Sequence, residues 1–180
     1  MIGAGILNLL FPPKCILCQK VLEGGETDLC HECRIHGPEC AGIHKNFSFL
    51  DSWTAVWYYE GYIRESLLRY KFRRARHYAP VYGRMLAMRL QQEYPEGFDI
   101  LTWVPISRLR RFTRGYDQVE LLAEAVGQEL GMQPVSTLKK VRNNRPQSGI
   151  VGQAKRRANV LGVYRAVCPQ EVQGKRVLLL

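Results

Sequence analysis

Four cysteines stand in two closely spaced pairs near the start of the sequence. Cys15 and Cys18 form one C-x-x-C knuckle, Cys30 and Cys33 form another, and a short glycine-containing loop separates them. Zn²⁺ binds four such ligands in a tetrahedron with Zn–S distances of about 2.3 Å, and each knuckle can bring two thiolates to one ion. The spacing therefore predicts a structural Cys₄ zinc site. The alternatives are a redox-active dithiol and free buried thiols.

The remaining cysteines and the nearby histidines are weaker candidates. Cys40, His31, His36 and His44 lie close to the knuckles in sequence, and each could replace a ligand. We expect the histidines to be bystanders. Cys168 has no cysteine near it in the sequence, which predicts a buried structural thiol.

A basic stretch at residues 103–118, WVPISRLRRFTRGYDQ, is the second candidate site. We expect a short apolar strand, a loop that carries four arginines and a glycine, and then a helix from Asp117 to Leu130. Backbone N–H groups in such a loop and in the first turn of the helix attract anions, and arginines add fixed charge. This order predicts a cradle for phosphate or pyrophosphate. The alternative is a solvated basic loop.

Two further basic runs are candidates for binding. The first, within residues 64–78, interleaves cations with aromatic residues, which suits single-stranded nucleic acid; the alternative is an amphipathic helix with a solvated basic face. Its candidate contacts are Arg69, Lys71, Arg73, Arg74 and Arg76.

The second basic run, residues 143–158, predicts a long loop or hairpin that closes over a ligand, or else a disordered surface loop. Its candidate phosphate contacts are Gln147, Ser148, Lys155, Arg156 and Arg157.

The elements that position these residues alternate between strand-like and helix-like runs. A mostly apolar strand at 98–104 that precedes a basic segment and a helix is typical of a buried parallel sheet. The pattern predicts an α/β domain at residues 51–180 behind a zinc module at residues 1–50. The predicted helices are 1–14, 61–72, 77–94 and 117–130, and the predicted strands are 52–60, 98–104, 134–141, 161–167 and 174–180.

Charge and hydropathy limit the partners. The 180 residues carry a formal net charge of +10, which favours nucleic acid, nucleotides or phosphosugars as partners. The apolar opening is too short to span a bilayer and lacks the features of a signal peptide, so we expect a cytoplasmic protein with reduced cysteines.

Three stretches together resemble the ComF family of competence protein F-like, amidophosphoribosyltransferase-like proteins. They are FPPKCILC with LCHECR, VPISRLRRFTRGYDQVELLAEAVGQELG, and RNNRPQSGIVGQAKRRANVLGVY. The chain has Tyr116-Asp117 where the family usually has Phe-Asn. The resemblance implies a zinc segment joined to a type I phosphoribosyltransferase α/β fold, and a link to the uptake of transforming DNA.

The resemblance also implies roles for individual residues. The pyrophosphate-binding loop would contain Pro105, Ile106, Arg108, Arg111, Arg114, Gly115 and Gln118, and the flexible loop would contain Gln147, Ser148, Arg156, Arg157 and Asn159. The implied reaction is displacement of pyrophosphate from phosphoribosyl pyrophosphate (PRPP), with Mg²⁺ as a cofactor of the full-length protein.

The family's ribose-phosphate signature, D-D-V-x-T-T-G-x-T, would follow the terminal VLLL and is absent. We therefore expect a sheet that is incomplete at its C-terminus and a chain with little transferase activity. The alternative function is a non-catalytic, zinc-containing adaptor or single-stranded-DNA-binding protein that works with a DNA-uptake motor.

Overall fold

The structure, a computed structural model, describes residues 11–40, 42–44 and 48–180, without the side chain of Ser148. The helix expected at residues 1–14 lies almost entirely outside the described residues. Within the described ranges, no helix is long and apolar enough to cross a bilayer.

The first part of the described chain is held by short bridges. Lys14 pairs with Val21 across the first knuckle, and helix α1 (His31–Ile35) begins directly after Cys30.

The prediction of a regular strand at residues 52–60 is wrong. Its residues make only isolated antiparallel bridges, from Trp53 to His44 and from Trp57 to Glu39. High β propensity is not sufficient here, because a ladder also needs a partner strand of matching length.

The helical predictions that follow are confirmed. Helix α2 spans Gly61–Phe72, a 3₁₀ turn spans Arg76–Tyr78, and helix α3 spans Ala79–Glu93. Strand β1 (Ile100–Thr102) occupies the middle of the predicted strand 98–104.

The segment after β1 differs from its prediction. It is not a loop but a helix, α4 (Arg108–Arg114), which Ser107 caps and which ends at Gly115 in the left-handed region. Four straight-chain arginines and a leucine are good helix formers, so the local sequence supports this outcome. Helix α5 (Gln118–Leu130) follows and ends at Gly131, as predicted.

The C-terminal third contains three strands and two short helices. Their bounds are β2 (Leu138–Lys140), α6 (Gln153–Val160), β3 (Tyr164–Ala166), α7 (Pro169–Val172) and β4 (Val177–Leu179). The long loop predicted at 143–158 is therefore wrong in part, because a 3₁₀ turn (Gln147–Gly149) and most of α6 lie inside it.

The described strands form two small sheets. β1 pairs with β4 in parallel, with Leu101 opposite Leu178, and β2 pairs with β3 in an antiparallel ribbon. Mixed helices and strands with a small parallel sheet are thus established. A complete phosphoribosyltransferase-type sheet stays a prediction.

Two apolar clusters form the core. The first joins the knuckles to α2 and α3, and includes Cys15, Leu17, Ile63 and Tyr82. The second joins α3, α5, β1 and β4 around Leu101. Helices α3 and α5 meet closely, since a Cβ at Gly83 would lie 2.5 Å from the Cβ of Ala125. The cysteine-bearing segment therefore packs into the same core as the helices that follow it.

Candidate zinc centre and basic groove

The four knuckle cysteines converge on one point. The sulfurs of Cys15, Cys18, Cys30 and Cys33 all lie within 4.8 Å of one another, and Cys18 Sγ is 3.6 Å from Cys30 Sγ. A tetrahedron with Zn–S bonds of 2.3 Å has sulfurs about 3.8 Å apart. The donors therefore fit a structural Zn²⁺, and the metal prediction is supported by the geometry.

The thiols of the cluster have pKa values shifted in opposite directions. Burial raises the pKa of Cys15, but hydrogen bonds from the backbone N–H groups of Cys30, Cys18 and Leu17 outweigh it and lower the pKa to about 7. Burial and the neighbouring sulfurs raise the pKa of Cys33. Four adjacent thiolates repel one another, so the cluster holds them together only with a positive ion among them.

Side chains of helix α2 form hydrogen bonds to backbone carbonyl groups of the first knuckle. The guanidinium of Arg69 donates to the carbonyl oxygens of Ile16 and Leu17, at 3.0 and 2.6 Å. The hydroxyl of Ser66 donates to the Ile16 carbonyl and lies 2.6 Å from the hydroxyl of Tyr82. Arg69 was a nucleic-acid candidate, but the structure engages it with the zinc segment instead.

The anion cradle predicted at the start of α5 is occupied by a side chain of the protein itself. Asp117 caps this helix, accepting from the backbone N–H groups of Val119 and Glu120, and its other oxygen accepts from Ile106 N at 2.8 Å. A buried carboxylate thus takes the place that the prediction gave to phosphate. Helix N-termini attract the protein's own carboxylates as well as ligands. Binding of phosphate by this stretch stays a prediction.

Four of the other predicted pyrophosphate contacts also have internal partners. Arg111 forms an ion pair with Glu120 at 2.9 Å, and Arg114 donates to the side-chain oxygen of Gln118 at 3.0 Å. Gly115 offers its carbonyl to Arg76 at 2.7 Å. Pro105 lies in the connection between β1 and α4.

Arg76 therefore holds the turn between α4 and α5 in place. Its guanidinium lies 4.4 Å from the centre of the Tyr116 ring, and a Cβ at Gly115 would come within 3.0 Å of its Nη2. Arg76 was a second nucleic-acid candidate, and these contacts give it a positioning role.

Arg108 lines a groove that the other predicted pyrophosphate contacts do not line, and we call it the basic groove. This groove has a volume of about 440 Å³ and lies between the start of α4 and the end of β2. Its lining residues are Ser107, Arg108, Leu109, Lys139, Lys140, Val141, Arg142 and Asn143. None of these lining residues, all in the described part of the chain, is acidic.

Long-range contacts bring the two sides of the groove together. Thr102 at the end of β1 bonds the Thr137 hydroxyl at 2.7 Å, which places the lead-in to β2 beside β1. Arg110 then reaches from α4 to the carbonyl of Asn144 at 3.0 Å. The groove thus forms beside the carboxyl end of β1.

Positive charge is concentrated around this groove. Burial and the charge of Arg110 lower the pKa of Lys140, whose ammonium group bonds Asn144 Oδ1 at 2.7 Å. Within the ranges that the structure describes, the side chains of Arg108 and Lys139 make no hydrogen bond or ion pair. Cations that lack counter-charges favour a negatively charged ligand.

The candidates in the predicted flexible loop bond to their own segment. Gln147 donates to the carbonyl of Arg156 at 3.3 Å, Arg156 donates to Ile150 at 2.9 Å, and Asn159 donates to Arg145 at 3.0 Å. Arg157 is exposed, and the side chain of Ser148 lies outside the described structure. Their roles toward a ligand stay predictions.

One cation of the nucleic-acid run and one arginine of α4 lie near exposed aromatic rings. Lys71 Nζ is 6.0 Å from the centre of the Tyr59 ring, and the Arg114 guanidinium is 5.0 Å from that of Phe72. Arg73 and Arg74 are exposed at the end of α2. We call these residues, with Tyr58, the cation–aromatic surface.

Sequence reasoning missed the second wall of the groove. The strand prediction at 134–141 includes Lys139 and Lys140 and gives them no binding role, and Arg142 falls between that strand and the predicted loop, although the run KKVRNNR is strongly basic. Cys168 was wrongly expected to be buried; its side chain is exposed.

Comparison with known proteins bears on the N-terminal segment alone. A family model for the double zinc ribbon domain matches residues 6–42. No curated protein and no solved structure matches the chain. The N-terminal segment is thus similar to double zinc ribbon domains, which agrees with the Cys₄ cluster, while the ComF resemblance rests on the sequence motifs.

Proposed function

We propose that this protein is ComF-like, with a structural zinc segment and an α/β part that binds a phosphate-bearing ligand of the PRPP type in the basic groove. The observation that carries the proposal is the groove itself. It combines Arg108, Lys139 and Arg142 without an acidic neighbour in its lining, beside the carboxyl end of a parallel strand. Ligands of open α/β sheets bind at this end of the strands.

The chemistry of the groove suits a diphosphate. Arginine forms paired hydrogen bonds to phosphate oxygens, whereas lysine contributes a compact charge. In a phosphoribosyl transfer these cations would stabilise the negative charge of the departing pyrophosphate, and Mg²⁺ would bind the same oxygens. Zinc would instead stabilise the fold, because its cysteine ligands pack among the residues of the first core cluster.

Binding of pyrophosphate and PRPP to the zinc-loaded chain tests this proposal. We expect calorimetric titration with Mg²⁺ to detect both ligands, and the double variant Arg108→Ala/Lys139→Ala to weaken binding at least tenfold, or about 1.4 kcal/mol. The matched control is Arg64→Ala, an exposed arginine on α2. Absence of binding, or equal affinity in the groove variant, would overturn the proposal.

A second candidate function is binding of single-stranded DNA. The cation–aromatic surface motivates it, because the exposed rings of Tyr59 and Phe72 lie near Lys71 and Arg114. Tyr58 is also exposed and adjoins Tyr59 in the chain. Bases stack on aromatic rings while cations neutralise the phosphate backbone. In this function the protein would hold transforming DNA together with a motor protein rather than transfer a ribose group.

Oligonucleotide binding separates the two candidates. Arg73→Ala/Arg74→Ala should weaken binding of a fluorescent oligo-dT and reduce the slope of log affinity against log salt by about 1 to 1.5. The double variant Arg108→Ala/Lys139→Ala should leave the affinity for oligo-dT unchanged if only the cation–aromatic surface contacts DNA. Unchanged affinity and slope in the Arg73/Arg74 variant would exclude this surface.

A further inference from the structure

The segment after the zinc knuckles has the pairing of a second ribbon but too few donors for a second metal. The double zinc ribbon model, which matches residues 6–42, has two ribbons by its name, and the four knuckle cysteines supply the ligands for one zinc ion. We define the second ribbon as residues 38–44 and 53–58, leaving aside residue 41, which the structure does not describe. Its thiol and imidazole donors are Cys40 and His44 alone.

These two residues do not complete a zinc site. Cys40 Sγ lies 3.4 Å from His44 Nε2, but the knuckle cysteines are the single group of three or more such donors in the described ranges. The undescribed residues at 1–10, 41 and 45–47 contain no cysteine, histidine or acidic residue in the sequence. A structural zinc needs four ligands, so two of them have no source here.

Other contacts hold the second ribbon in place of a metal. The backbones of His44 and Trp53 exchange two hydrogen bonds of 2.8 Å, and their rings stack with centres 4.2 Å apart. Cys40 N donates to the carbonyl of Val56 at 3.0 Å, and the Cys40 side chain is only 2 % exposed. Ring stacking and a partly buried thiol–imidazole contact thus hold the two sides of the second ribbon together.

The second ribbon is also anchored to helix α3. Arg89 pairs with Glu39 at 3.2 Å, and the Tyr94 hydroxyl lies 2.9 Å from that of Ser52, in the loop of the ribbon. The Trp57 ring meets the Tyr82 ring edge-on, with centres 6.4 Å apart. Small zinc ribbons depend on their metal because they lack a core, whereas this segment shares the core of the larger protein.

We propose that the second ribbon is free of metal and that the chain holds a single zinc ion. Cys40, His44 and Trp53 form a packing contact in the place of a second zinc site. The inference concerns this chain's donors and does not depend on the proposed ligand of the basic groove.

Metal analysis of the full chain tests the inference. We expect one zinc per chain by mass spectrometry of the purified protein, and one equivalent of Co²⁺ to saturate the thiolate-to-cobalt absorption on exchange. The variant His44→Phe keeps an aromatic ring against Trp53 but removes the nitrogen donor. This variant should retain one zinc ion per chain, and Cys40→Ala should also retain one zinc ion per chain.

The control is Cys30→Ala, which removes a knuckle ligand and should lower the zinc content toward zero. If that variant does not fold, the wild-type Co²⁺ titration still decides the question. Two metal ions per chain, or loss of a metal in His44→Phe, would overturn the inference.

Discussion

Replacing Arg69 by methionine should uncouple the zinc segment from helix α2. Methionine keeps a flexible apolar side chain of similar length but removes the guanidinium that bonds the carbonyls of Ile16 and Leu17. Both carbonyls lie between Cys15 and Cys18, so the change acts directly on the first knuckle while leaving the four ligands in place.

The size of the effect follows from the two hydrogen bonds. Hydrogen bonds that involve a charged group contribute about 1.5–3 kcal/mol each. Arg69 is half-buried, so we take the lower value and expect a loss of about 3 kcal/mol in the free energy of unfolding. For a domain of this size that corresponds to a fall of roughly 6–12 °C in melting temperature.

The assay is thermal unfolding of the zinc-loaded chain, followed by circular dichroism, together with the rate of zinc transfer to a chromogenic chelator. Arg73→Met is the matched control, because Arg73 is exposed at the end of the same helix and its loss should change stability by less than about 0.5 kcal/mol. We expect Arg69→Met alone to lower the melting temperature and speed zinc transfer. Equal melting temperatures and transfer rates in the two variants would refute the reasoning.

Three further predictions concern other contacts. Asp117→Ala should destabilise the protein by about 1–2 kcal/mol in urea unfolding, since it removes the cap of α5 and the partner of Ile106 N, whereas Asp117→Asn should recover part of the loss. Gly83→Ala should lower the melting temperature, because the new methyl group would lie 2.5 Å from the Cβ of Ala125; an unchanged value would show that α3 and α5 separate easily. Zinc chelation should speed tryptic cleavage within Arg108–Arg114, because α2 connects the knuckle to Tyr116 and Gln118 through Tyr70; mass spectra that show equal cleavage before and after chelation would contradict this.

The sequence by itself determined the features that depend on local spacing. Two C-x-x-C pairs identified the zinc ligands, because a knuckle brings its two sulfurs together without help from distant residues. Helices α2, α3 and α5 and the position of β1 followed from apolar periodicity and from helix-ending residues such as Gly131. The excess of positive charge was also plain from composition.

Tertiary structure alone decided what each basic residue does. Arg69 and Arg76 belong to runs that look solvated, yet each bonds backbone carbonyls more than 35 residues away, at Ile16 and at Gly115. Asp117 occupies the helix terminus that the sequence offered to phosphate. The groove needs Arg108 and Lys139 side by side, and the pairing of Thr102 with Thr137 that brings them together is set by packing between distant segments. Charge can be read from a sequence, but its counter-charges and hydrogen-bond partners come from contacts between residues far apart in the chain.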